Sequence, residues 1–351
     1  MTSPDPDRPG TYRPEPLAPG APVSVVMPVL NEERHLAEAA AAVLAQDYPG
    51  PLEVVLAVGP SHDRTADVAA SLAAADSRVK VVDNPTGRTP AGLNAAIAAA
   101  SGEVIVRVDG HAVLPTGYVV TAVDALRQHD ADNVGGIMAA EGVTSFEQAV
   151  ACAMTSPLGV GGARFHVGGH GGPAETVYLG VFRRSALERV GGYDERFTRA
   201  QDWEMNHRIR ETGGLVWFEP AMRVSYRPRA SLRTLAGQYR DYGRWRRVVM
   251  RQHPETVGWR LGSLRYLAAP IVVAAIIIGT VLGVIGLVTG PPWLTIGFIA
   301  LLGYAVLVLL GSVFVGRRLA PSALLRLPAV IATMHLCWGW GFLTSRRSAL
   351  T

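Results

Sequence analysis

The sequence predicts an α/β domain built on a Rossmann-like, mostly parallel sheet, followed by C-terminal transmembrane helices. Three observations carry this expectation. Short β-branched runs alternate with alanine-rich stretches through the first hundred residues, the pattern of right-handed βαβ units. The composition then changes: residues up to about Tyr226 are of mixed polarity, whereas 266–343 is dominated by apolar runs. Within that part, 267–288 and 294–315 carry no charge at all, and each is long enough to span ~30 Å of hydrocarbon.

Taken in order, residues 1–22 are rich in Pro, Asp and Gly without periodicity and read as a disordered leader. The run 23–28, closed by Pro28, is the first strand. After Asn31-Glu32-Glu33, an alanine-rich stretch to Gln46 has high helix propensity. A second strand is expected over 52–58 with a helix over 66–75, and a third over 79–83. The next helix covers 90–100, with Pro90 at its start and Gly102 beyond its end. The stretch Val104-Ile105-Val106-Arg107-Val108 reads as a strand buried on both faces, and it stops at Asp109-Gly110-His111. A helix over 115–129 and a strand over 134–140 follow. The glycine-rich loop 159–173, with His166 and His170, suits a lid or substrate-contacting segment. Ordered elements are expected over 179–190 and 202–212, the second ending at Gly213-Gly214.

In the apolar part, Thr289-Gly290-Pro291-Pro292 turns the chain between the two long segments. Arg317, Arg318 and Arg326 follow the second, and the positive-inside bias places them in the cytoplasm with the preceding domain. A third stretch, 327–343, is shorter and contains His335, with Arg346-Arg347 after it. It is read as a span; a re-entrant or interfacial course is the alternative, since a full crossing would strand two arginines outside. The domains are therefore a leader 1–22, an α/β domain 23–230, a basic amphipathic interfacial segment 231–265, and a membrane domain 266–345 with two or three helices.

The formal net charge is +4, but the arginines concentrate in 223–265, just before the first apolar segment. That placement favours a membrane surface or a phosphate-rich substrate over nucleic acid. The two cysteines, Cys152 and Cys337, give neither a disulfide framework nor metal-ligand spacing.

The strand end at Asp109 carries the chemistry. Side chains alternate along a strand, so Asp109 and His111 share one side if extended geometry persists. Two potential metal ligands would then stand at the carboxyl end of a central strand, where open α/β sheets place ligands. Imidazole suits Mn²⁺ better than Mg²⁺. The plainer alternative is a turn following a strand, with His111 at its rim.

Six motifs occur here in a familiar order: 23–32 (VSVVMPVLNE), 61–65, Gly92-Leu93-Asn94, 107–111, 191–195 and Gln201-Asp202-Trp203-Glu204. Over about residues 23–250 the chain resembles family-2 glycosyltransferases with a GT-A fold, in particular bacterial exopolysaccharide transferases of the succinoglycan type. The resemblance implies an inverting, divalent-metal-dependent enzyme of the plasma membrane, multi-pass, with a cytoplasmic catalytic domain. It would move a sugar from a nucleotide sugar, a UDP-hexose, to a lipid-linked or growing polysaccharide acceptor.

The same resemblance implies roles for individual residues. Pro28, Asn31 and Glu32 would surround the base and ribose. Asp63 matches the last acid of the second-strand motif, whose usual acidic pair is Val58 and Gly59 here. Arg88 and Asn94 would approach the nucleotide and diphosphate. Asp109 and His111 would bind the metal where the family usually offers two acids, and Arg107 would touch phosphate or only pair with Asp109. Asp202 would be the base, with Gln201 replacing a preceding acid. Asp194, Gln201, Trp203 and Glu204 would face the acceptor, Asp194 alternatively bracing its turn. Gln238, Arg244 and Trp245 loosely resemble a Gln-x-x-Arg-Trp element at different spacing, on a helix suited to a membrane interface.

Helix capping is the plain alternative for Asn31-Glu32, Asp63 and Asp202, and bare anchoring for the basic helix. The replaced acids leave a second functional reading, a membrane-tethered nucleotide-sugar-binding protein or degenerate transferase. A transporter is disfavoured because the two clear spans carry no charged residue.

Overall fold

The computed structural model describes residues 12–254 and 261–346. The chain forms two compact units, Met1–Ala139 with Gly168–Tyr226, and Ala140–Val167 with Arg227–Thr351.

The first unit is built on strands β1 (Val23–Val29), β2 (Leu52–Val58), β3 (Val79–Asp83), β4 (Val104–Arg107), β5 (Asn133–Ala140), β6 (Gly172–Pro173), β7 (Tyr178–Arg183) and β8 (Val216–Tyr226). They form one mixed sheet in the order β3-β2-β1-β4-β7-β5-β8-β6. The first four strands pair in parallel, with Val25 flanked by Val54 and Val106. Strand β7 then runs antiparallel between β4 and β5. The expected α/β class and largely parallel, Rossmann-like sheet are therefore present.

Valines and leucines at alternate positions explain the stability of this sheet. Val25, Met27, Val54, Leu56, Val104 and Val106 are fully buried. They share a core with Leu36, Ala39 and Val43 of the helix Leu36–Leu44 and with Val119, Ala122 and Leu126 of the helix Tyr118–Gln128. Each such aliphatic contributes about 1.5–3 kcal/mol. Because β1, β2 and β4 are parallel neighbours, Val29, Val58 and Arg107 end at one sheet edge, and the loops that follow converge there.

Residues 12–22, expected to belong to a disordered leader, instead pack on this unit. Ala21 is buried, Leu17 lies against the core, and the Tyr48 hydroxyl donates to the Ala21 carbonyl at 2.6 Å. Arg189 covers the Tyr12 ring at 3.6 Å. The apolar residues scattered among the prolines supply these contacts; the rest of the expected leader lies outside the described residues. The stretch expected as a lid or substrate-contacting segment holds two short elements: Arg164–Val167 is a helical turn of the second unit, and Gly172–Pro173 pairs with Phe218 and Trp217 of β8.

In the second unit, the helices Leu261–Thr289 and Phe298–Val315 form a hairpin through the 3₁₀ turn Pro292–Gly297. Their approach is set by small residues: a Cβ on Gly279 would strike the Gly297 carbonyl, and one on Gly283 would meet the Phe298 ring at 2.7 Å. Three segments are long and apolar enough to cross a membrane, Tyr266–Thr289, Pro292–Val315 and Pro321–Thr344, with mean hydropathies of 2.9, 2.6 and 1.2. The basic helix Leu232–Gln252 packs closely on Leu327–Thr344, because Gly243 abuts the Trp338 carbonyl and Gly341 the Arg240 carbonyl.

Candidate functional site

The site lies at the carboxyl edge of β1, β2 and β4. After β1, Asn31 adopts a left-handed conformation with φ 57, which asparagine tolerates better than most residues. Its amide oxygen accepts from the His62 backbone at 2.8 Å, and its own N–H donates to the Ser61 hydroxyl at 3.0 Å. The Glu32 N–H donates to the Thr65 hydroxyl at 2.7 Å. Asp63 accepts from the backbone of Thr65 at 3.0 Å and of Glu33 at 3.2 Å. The Thr65 hydroxyl above all, with these backbone donors, holds the Asp63 carboxyl below the usual range. Asn31 and Asp63 thus clamp two loops together. Pro28 stands beside this clamp in β1, against Gly92, where a Cβ would lie 3.2 Å from Pro28 Cβ.

At the end of β4, Arg107 is only 5% exposed. One guanidinium nitrogen donates to Asp109 Oδ1 at 3.0 Å and the other pairs closely with Asp202 Oδ1. So enclosed a group has no open face for phosphate, and the ion-pair alternative is the one observed. Arg107 bonds Asp202 across a separation of ninety-five positions and stays charged, since Asp202 and Asp109 outweigh the cost of its burial.

Asp202 is not a helix cap. The helix Gln201–Glu211 has Ala200 at its N-cap, with φ 59, and Asp202 lies in the first turn. A carboxylate there is stabilised by the helix dipole while its side chain reaches Arg107. Burial is the main influence raising the Asp202 pKa, and Asp109 adds to it, while Arg107 opposes both. A carboxylate so placed is a stronger proton acceptor than an ordinary aspartate.

His111 Nδ1 meets Glu32 Oε1 at 2.8 Å, and the ring is 55% exposed at its side chain. Between them Gly110 leaves no spare room: a Cβ would lie 3.0 Å from Glu32 Cγ and from Val29 Cγ1. Gly110→Ala is therefore expected to displace Glu32, weakening folding by about 1 kcal/mol and raising the divalent-cation concentration for half-maximal activity several-fold. Cation titration of wild type and variant checks this; identical titrations would show that the Glu32–His111 contact has no part in cation binding.

The other expected residues divide sharply. Asn94 is a latch: its side-chain amide donates to the Tyr193 carbonyl at 2.9 Å and accepts from the Tyr193 N–H at 2.8 Å. Asp194 braces its turn by accepting from Arg196 at 2.7 Å. Glu204 is buried and ion-paired with Arg208 at 2.6 Å, and Arg208 in turn donates to the Val190 and Gly192 carbonyls. Glu204 therefore faces the protein interior and not an acceptor. Trp203 stacks on His207 at 5.2 Å, while Gln201 is half-buried and Arg88 exposed. Gln238, Arg244 and Trp245 belong to the second unit, on Leu232–Gln252.

Two residues join the site to which the sequence assigns no role, Tyr193 although it stands within the motif 191–195 and Arg208 outside any motif. Tyr193 is 3% exposed, held through both backbone groups by Asn94, and its hydroxyl lies within electrostatic reach of Arg107 and Asp202. Arg208 fixes the turn that presents it. The signal in the sequence is the motif 191–195, whose Gly191 and Gly192 have φ values of 77 and 73 that need glycine.

Among the described residues no cluster of three or more acidic, histidine or cysteine side chains is arranged to hold a metal ion. Past Arg107 the chain turns, the Ala112 N–H donating to the Asp109 carbonyl at 2.9 Å. The extended course expected to set Asp109 and His111 on one side is therefore not kept, and Asp109 is the residue that suits a cation shared with a diphosphate. Cations of that kind take one or two protein ligands and complete their shell with phosphate oxygens and water, and Asp109 has a second carboxylate oxygen beyond the one bound to Arg107.

Comparison with known proteins shows the family. The family model "Glycosyl transferase family 2" matches residues 24–191. The chain is also 32% identical over 320 residues to the succinoglycan biosynthesis protein ExoA of Rhizobium meliloti (strain 1021), covering 91% of this chain and 93% of that one. The chain belongs to the family-2 glycosyltransferases and is a glycosyltransferase, with a relative in exopolysaccharide biosynthesis. A more distant relative, 23% identical over 68% of this chain and 76% of its own, is a dolichyl N-acetyl-alpha-D-glucosaminyl phosphate diacetamido-dideoxy-glucuronosyltransferase of Methanococcus voltae. The GT-A fold is shared with the mannosyltransferase PcManGT from Pyrobaculum calidifontis, solved with GDP-Man and Mn²⁺. Its TM-score is 0.57 at 20% identity, with 93% of this chain and 88% of that one covered.

Proposed function

We propose that this protein is an inverting transferase that moves a hexose from a nucleotide sugar, a UDP-hexose, to a lipid-linked or growing polysaccharide acceptor at the cytoplasmic face of the plasma membrane. The observation that carries the reading is the guanidinium of Arg107, which ties Asp109 to Asp202. One buried cation thereby fixes the spacing between the diphosphate side of the site and a carboxylate of raised pKa.

Asp202 is the base. It accepts the proton of the acceptor hydroxyl, whose oxygen bonds to the anomeric carbon from the face opposite the leaving group. The bond from that carbon to the diphosphate oxygen breaks, and the nucleoside diphosphate departs with the electron pair. Asp109, joined by His111 from the turn that follows, would hold a divalent cation, Mn²⁺ in preference to Mg²⁺, which neutralises charge on the diphosphate. Arg107 acts through the two aspartates and is a positioning residue. The Asn31–Asp63 clamp shapes the nucleoside side with Pro28 and Glu32, and Arg88 supplies an exposed cation beside it. Gln201 and Trp203 flank the base towards the acceptor. Because Val58 and Gly59 stand where acids often contact the nucleoside, GDP-sugars, the donor type bound by PcManGT, form the competing arm of the test.

The experiment is a screen of labelled UDP- and GDP-sugars with Mn²⁺ or Mg²⁺ and a membrane lipid extract. A labelled lipid product is expected from a UDP-hexose, faster with Mn²⁺. A product from GDP-sugars alone would overturn the donor, and no transfer from any donor by folded protein would overturn the reading.

A further inference from the structure

We infer that the third apolar helix, Leu327–Thr344, does not cross the bilayer. It pairs with the basic helix Leu232–Gln252 as a platform set into one leaflet, and its partner is the headgroup and upper acyl layer of that leaflet.

Both ends of this helix are tied to the open end of the hairpin. At its start, Leu327 and Leu324 pack on Gly316, immediately after the span ending at Val315, where an added Cβ would lie 2.8 and 2.7 Å away. At its finish, Arg247 donates to the carbonyls of Phe342 and Leu343 at 2.9 and 2.7 Å, and the Ser345 hydroxyl donates to the Arg244 carbonyl at 3.1 Å. Arg247 thereby satisfies carbonyls that a helix C-terminus otherwise leaves without partners. The next residue back, Arg246, lies over the Tyr266 ring at 3.3 Å, and Tyr266 opens the first span. The closed end of the hairpin, where Gly286 packs on Leu294, is engaged by the hairpin's own residues.

Charge decides the depth. Leu232–Gln252 carries six arginines, at 233, 240, 244, 246, 247 and 251, and that many cations are not accommodated in hydrocarbon. Its backbone is pressed against Trp338 and Gly341, so the last turns of the third helix are held at the depth of those arginines. The exposed apolar residues fit the same placement. Leu336, Trp340 and Leu343 form one helical stripe, with Trp340 48% exposed, while Val330, Ile331 and Met334 are buried. An aromatic and two leucines facing outward beside arginines suit the headgroup–acyl boundary. The lower mean hydropathy of 1.2 fits the same placement; the His335 ring is bonded to the Leu158 carbonyl at 2.7 Å and meets the Tyr304 hydroxyl of the second span at 3.3 Å.

The test uses the full chain in sealed vesicles of known orientation, with Cys152 and Cys337 replaced by serine. Single cysteines are introduced as Arg318→Cys, Trp293→Cys and Arg346→Cys, and labelled with a membrane-impermeant maleimide. Arg346→Cys is expected to label from the Arg318→Cys side with at least tenfold preference, opposite to Trp293→Cys. Labelling of Arg346→Cys from the Trp293→Cys side would overturn the inference. A topology reporter fused after Thr351 of the otherwise unchanged chain gives the second reading. It decides the matter where a cysteine variant does not accumulate: activity on the Arg318 side supports the platform, and activity on the opposite side refutes it.

Discussion

Exchanging Asp202 for asparagine is expected to lower kcat by ~10²–10⁴-fold, the range supplied by a positioned proton acceptor, with donor binding retained. The amide keeps the shape of the side chain but has no basic lone pair of comparable strength. Nucleoside diphosphate titration of the purified variant measures binding separately from turnover. Full activity in Asp202→Asn would remove the base from this residue. The pH profile gives an independent readout. Asp202 must be ionised to accept a proton, and burial with Asp109 raises its pKa. Activity is therefore full above that raised value and is lost as pH falls through it, so the acid limb of kcat should lie above the ordinary aspartate range. In Asp202→Asn this limb should disappear from the residual rate.

The second large effect is expected at Arg107. Arg107→Met leaves two carboxylates facing each other without the cation between them. Removing one partner of a buried ion pair costs about 3–5 kcal/mol; Asp109 and Asp202 are 25% and 31% exposed at their side chains, which favours the lower end. The catalytic unit should unfold at markedly lower denaturant, and any activity that remains should show its acid limb displaced upward, because Arg107 normally lowers the Asp202 pKa. Arg107→Lys separates charge from geometry. It keeps the cation but loses the planar fork, so stability should largely return while kcat stays depressed with little change in donor KM. Unaltered kcat in the lysine variant would mean that the fork does not position Asp202.

Several parts of this molecule are legible in the chain itself. The runs at β1, β2, β3 and β4 declare themselves because strands buried on both faces need unbroken apolar sequence. Asp109-Gly110-His111 marks a strand end because those residues cannot continue such a run. The two charge-free segments can only be buried or lipid-exposed. Residues 12–22 mislead, since scattered Tyr12, Leu17 and Ala21 give no periodicity even though each finds a partner.

Pairings across long separations are absent from local sequence. Strands β7 and β8 are antiparallel additions, and their placement depends on which edges β4 and β5 leave open. Glu204 has the sequence context of a site acid, but Arg208 one turn later turns it inward to hold the loop carrying Tyr193. The third apolar helix has a span's length, and its depth is set by arginines nearly a hundred residues earlier. Residue types and their local periodicity determined the sheet, the hairpin and the presence of Asp109 and Asp202. Only tertiary structure decided that one buried guanidinium holds those two carboxylates together. An ion pair depends on distance in space, and ninety-five residues of chain leave that distance open until the sheet has formed.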